Sequence, residues 1–76
     1  MPAIRPREHD VVALLVDLPQ YNLAAGDTGA VVHVYSQVEA YEVEFMDLQG
    51  RTKAVVTLEP QQLLRLNLTP ATTGSS

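Results

Sequence analysis

Cysteine is absent from the 76 residues, so no disulfide and no thiolate metal site is available. The same absence fits a reducing compartment, and a cytoplasmic location is expected. Tryptophan is also absent, and the aromatics amount to three tyrosines and one phenylalanine. That is a thin shelf for a groove of the kind that holds proline-rich peptides, which several aromatics must line. Cations are few: five Lys and Arg stand against nine Asp and Glu, for a net charge of −4. Nucleic-acid binding needs cations to neutralise phosphates. Arg51, Lys53 and Arg65 are candidates for such a patch, but Glu42, Glu44 and Asp47 on the neighbouring strand offset it, and no nucleic-acid partner is expected. Long apolar runs are missing too. The longest, Val11 to Val16, falls far short of the roughly 20 residues of a membrane-spanning helix. At the start of the chain Arg5 and Arg7 have no apolar stretch behind them, so no signal peptide is read and no membrane association is expected.

The residues present read as strands. Val11 to Val16, bounded by Asp10 and Asp17, has strand length. A long loop follows, whose apolar members Leu18, Tyr21 and Leu23 are spaced to fold back over an open end of the sheet. Gly26-Asp27-Thr28-Gly29 then forces a sharp turn into a β-branched segment, since glycine takes positive φ freely and Asp bonds its own backbone. Simple alternation over residues 30–35 puts Val32 and Val34 on one face and Val31, His33 and Tyr35 on the other. Ser36 to Ala40 is a linker, after which Tyr41, Val43 and Phe45 point inward and Glu42 and Glu44 outward. Asp47-Leu48-Gln49-Gly50 is a turn with glycine at the left-handed position, followed by a bulge. Arg51 to Leu58 returns antiparallel with Ala54, Val56 and Leu58 on one face, and Glu44 is expected beside Lys53. Glu59 to Gln62 reads as a single 3-10 turn, and Leu63 to Leu66 as a short last strand.

This pattern predicts an all-β domain: a five-stranded SH3-like barrel with a long first loop and a 3-10 turn before the last strand. A split meander that needs a partner to close is the rival. The domain is placed at residues 8–68, with a flexible arm at 1–7 and a disordered tail at 69–76.

Candidate chemistry is sparse. The Gly-Asp-Thr-Gly segment lacks the lysine and the following helix of a phosphate cradle. His9 and His33 lie far apart and have no cysteine to complete a four-ligand zinc site, so no metal and no cofactor is expected. Glu42 and Glu44 share a strand face, where they read as solubilising charges and cross-strand partners rather than a catalytic pair in a dry cleft. No Ser-His-acid arrangement is visible, and a catalytic role is not expected. Tyr21 is read as packed within its loop. If the face of Val31, His33 and Tyr35 points outward, it forms an apolar patch of the kind that marks interfaces.

The run from Asp17 to Val32, followed by Tyr41-Glu42-Val43-Glu44-Phe45, Gly50-Arg51-Thr52 and Thr57-Leu58, resembles the bacterial domain-of-unknown-function family 4926 over roughly residues 10–66. The resemblance implies an SH3-like barrel and a protein partner, because members often stand beside other small proteins. It implies no activity, cofactor or catalytic residue. The Gly-Asp-x-Gly-x-Val-Val segment alone is also similar to barrels that touch RNA and to accessory subunits of larger enzymes.

The expected role is therefore non-catalytic protein–protein interaction, as a homo-oligomer or as the small partner or inhibitor of a neighbouring-gene protein. An acidic domain suits the masking of a basic site. An accessory enzyme subunit and an RNA-binding barrel are the alternatives. The surface expected to carry the interaction comprises Leu18, Pro19, Tyr21 and Leu23 on the long loop, and Val31, His33 and Tyr35 on the second strand.

Overall fold

The computed structural model describes residues 5–66. The expected tail at 69–76 and the first four residues of the expected arm lie outside the described residues. Within the arm, Pro6 is buried and the Arg5 guanidinium lies 2.9 Å from the Glu39 carboxylate.

The protein is all-β. Strands β1 (Val11–Leu14), β2 (Thr28–Tyr35), β3 (Ala40–Met46), β4 (Thr52–Leu58) and β5 (Leu63–Arg65) form one antiparallel sheet in the order β4-β3-β2-β1-β5. Short 3-10 turns, Pro19–Tyr21 and Pro60–Gln62, interrupt the β1–β2 and β4–β5 connections. In both, proline occupies the first position, where its fixed φ suits the turn and its missing N–H costs nothing.

Alternation carries one face of every strand into a common core. Val12 and Leu14 come from β1, Val31 from β2, and Tyr41, Val43 and Phe45 from β3. Val56, Leu58 and Leu63 complete it, with Leu23 reaching in from the long loop. Burying each such side chain is worth about 1.5–3 kcal/mol. The outward carboxylates of β3 are left half-buried on the opposite face.

Two expectations are corrected. First, β2 does not alternate without a break. Val31 pairs with Val43 and His33 with Glu42, which leaves Val32 as the extra residue of a bulge. The bulge reverses the parity, so Val31 and Val34 turn toward the core while Val32 is pushed out to 42% exposure. Second, Glu44 sits beside Val55, not Lys53. Phe45 pairs with Ala54 and Met46 with Thr52, and the hairpin bulge ejects Lys53 between them. The register keeps Phe45 opposite a small apolar residue, which a Lys53 partner would have prevented. The sheet is open: among the described residues no ladder joins β4 to β5, and these strands are its two edges.

The β3–β4 turn matches its sequence signal. Gly50 has φ +82°, its N–H reaches the Asp47 carbonyl at 3.0 Å, and Asp47 Oδ1 accepts from the N–H groups of Gln49 and Arg51 at 2.9 Å each. Such a turn aligns the two strands before any side chain packs.

Candidate interaction surface

The long loop is a small closed structure. Leu18 and Leu23 exchange backbone hydrogen bonds, 2.9 Å from the Leu18 N–H and 3.1 Å from the Leu23 N–H. Within it the Asn22 N–H closes on the Pro19 carbonyl at 3.0 Å, with Asn22 in the left-handed region at φ +59°. The closure turns Leu23 into the core and packs Leu18 against it. Pro19 and Tyr21 stay at the apex, Tyr21 at 42% exposure rather than packed within its loop. The following turn satisfies its own backbone: Asp17 Oδ1 accepts the Ala25 N–H and Asp27 Oδ2 the Ala24 N–H, each at 2.9 Å. The one carboxylate of the Gly-Asp-Thr-Gly segment, Asp27, is thus already engaged as a turn acceptor.

Gly29 explains the second glycine of that segment. A Cβ there would stand 2.7 Å from the Glu44 carbonyl oxygen and 2.9 Å from the Phe45 ring, so only glycine lets β2 lie this close to β3.

On the outer face of β2 and β3 a polar and aromatic cluster forms. The rings of His33 and Tyr35 meet edge to face, centroids 4.7 Å apart and planes at 83°. The Tyr35 hydroxyl donates to Glu42 Oε1, and Glu42 is also the cross-strand partner of His33. That bond to a carboxylate, with partial desolvation and the carboxylate's charge, raises the Tyr35 pKa above its ordinary value. One row along, the Thr52 hydroxyl donates to Glu44 Oε2. At the β2–β3 turn a shallow hollow of about 320 Å³ opens beside this cluster, lined by His33, Tyr35 and Val38 among others.

Of the seven residues expected to form the surface, the structure leaves Pro19, Tyr21, His33 and Tyr35 exposed. Val31 is fully buried and Leu23 is 4% exposed, so both belong to the core, and Leu18 is half-buried against it. Val32 takes the place of Val31 on the outer face, beside Glu42. The missed signal was the spacing of Val31 and Val34, two apolar residues three apart that cannot share a face of an unbroken strand.

Among the described residues, two of the five Lys and Arg side chains form ion pairs. Arg65 Nε bonds Asp10 Oδ2 at 2.8 Å and Arg5 bonds Glu39, so the basic patch considered from sequence loses Arg65. Among the described residues no group of three or more His, Asp or Glu could hold a metal ion, and no helix is long and apolar enough to cross a membrane.

A family model for a domain of unknown function, DUF4926, matches residues 8–65. No curated protein and no solved structure matches the chain.

Proposed function

The chain belongs to the DUF4926 family, and from that premise we propose that it is a non-catalytic protein–protein interaction module, the small partner or inhibitor of a protein encoded beside it. The observation that carries this reading is the outer face of β2, where exposed Val32, His33 and Tyr35 stand together with the Tyr35 hydroxyl already oriented by Glu42. A tyrosine with an apolar body and a preset polar tip loses little entropy on binding and is a common anchor at interfaces. The acidic balance of the chain favours a partner surface that is basic, and the cysteine-free composition favours the cytoplasm.

The same reading includes an SH3-like barrel. Its support is the position of β1 between β2 and β5, the 3-10 turn between β4 and β5, and a core confined to one face of a single sheet. A flat sheet has no second layer to cover such a face, whereas a strongly twisted one curls around it.

Co-expression with the product of the adjacent reading frame tests the role. A stoichiometric complex that survives gel filtration, and that Tyr35→Ala weakens by roughly tenfold or more, is expected for an interface anchor. Absence of a complex, or one indifferent to substitution at Tyr35, His33 and Tyr21, overturns it.

A further inference from the structure

Strand β4 is seven residues long, and among the described residues β3 is its sole ladder partner. An edge strand offers a row of unpaired N–H and C=O groups, and proteins blunt such edges with charge, bulges or proline. Here those devices sit only at the two ends: Lys53 in the bulge, and Pro60 after the strand. Between them Ala54 to Leu58 is a regular, uncharged run with Val55 46% exposed.

The charges that bound this run are complementary. Lys53 and Glu59 are both exposed, and neither forms an ion pair among the described residues. The Glu59 carboxylate holds a neutral partner, the Gln61 side-chain amide at 2.7 Å, and its backbone is still extended at φ −93° and ψ 161°. Read along the edge, Lys53-Ala54-Val55-Val56-Thr57-Leu58-Glu59 carries opposite charges symmetrically placed about Val56.

We propose that a second copy of this chain docks on β4, antiparallel, with Val56 on the twofold axis, so that two sheets join into one. In this register Lys53 faces Glu59 of the partner subunit, and the symmetry makes that contact twice. Ala54 faces Leu58 of the partner subunit, core side against core side, and Val55 faces Thr57 of the partner subunit on the outer side. A slip of one residue would set inward residues against outward ones, and a slip of two in either direction separates both ion pairs. Backbone hydrogen bonds supply the attraction and the charges select the register. This edge is distinct from the β2 patch proposed to hold the neighbouring protein, so the two proposals fail separately.

Sedimentation of the full chain over a range of concentrations, at about 0.15 M salt to screen long-range repulsion, tests the proposal. A concentration-dependent dimer is expected. Lys53→Glu and Glu59→Lys singly each place like charges opposite one another and weaken self-association by roughly tenfold. The double variant K53E/E59K restores it, and because both positions are exposed the far-ultraviolet circular dichroism stays unchanged in all three. A chain that is monomeric throughout, a dimer indifferent to either single reversal, or a double variant that fails to recover would overturn the proposal. A monomeric K53E that still binds the neighbouring protein would leave the proposed function standing.

Discussion

Arg65 on β5 donates through Nε to Oδ2 of Asp10 at the entrance to β1, 2.8 Å away and across 55 residues of sequence. The same oxygen accepts the Arg7 N–H at 2.8 Å, so one carboxylate joins the last strand to the turn that precedes the first. That turn places His9 at φ +75°, where its N–H reaches the Val31 carbonyl at 2.8 Å beside the β2 bulge.

The Arg65 hydrogen bond, then the Arg7 N–H, hold the Asp10 carboxyl below its ordinary 3.8. A depressed native pKa gives stability that is present above the unfolded value and lost as pH falls through the native one. Chemical denaturation followed downward from neutral pH should show this loss below about pH 4 in the parent protein. Asp10→Asn should remove that part of the pH dependence and, as a partly exposed pair, cost no more than about 1 kcal/mol at neutral pH.

The Tyr35 phenol titrates in the opposite sense. Its bond to Glu42 favours the neutral form, so its pKa lies above 10.0. The stabilisation is complete below the unfolded pKa and disappears as pH rises through the higher native value. Ultraviolet titration, with Tyr35→Phe subtracted to isolate this residue, should show its midpoint move down toward the ordinary value in Glu42→Gln. An unchanged midpoint would mean that the hydroxyl bond does not form in solution.

Gly29→Ala should be the most damaging glycine substitution of the three whose surroundings are described. Its new methyl would stand 2.7 Å from the Glu44 carbonyl and 2.8 Å from Val43 Cγ1, and the carbonyl cannot withdraw without opening the β2–β3 ladder. A loss of about 1–3 kcal/mol or more is expected from such overpacking. Gly26→Ala and Gly50→Ala meet open space and suffer only from φ of +97° and +82°, worth about 1–2 kcal/mol each. Urea midpoints at constant slope would rank them.

The long loop separates packing from display. Leu23→Ala removes a side chain 4% exposed, and a loss of about 2–4 kcal/mol is expected. Tyr21→Ala, at the exposed apex, should stay within about 0.5 kcal/mol. Equal destabilisation by both would show that the apex folds down onto the sheet.

Much of the fold is legible where the signal is local. Tyr41, Val43 and Phe45 alternate with two glutamates and are buried in that order. Asp47 and Gly50 specify their turn through one side chain and one left-handed residue. Pro60 marks the 3-10 turn that separates β4 from β5. The candidate surface is less legible, because the same alternation puts Val31 outward in a strand that contains a bulge.

What the amino-acid order settled by itself is therefore whatever neighbouring residues decide: strand periodicity, turn chemistry, the excess of acid and the absence of thiols. Only the tertiary structure decided the parity of β2 beyond Val32, the ejection of Lys53 from its hairpin, and which two strands remain edges. These depend on which backbone groups meet across strands. A single unpaired residue there moves every following side chain to the opposite face, at a cost too small and too distant in sequence for any local pattern to record.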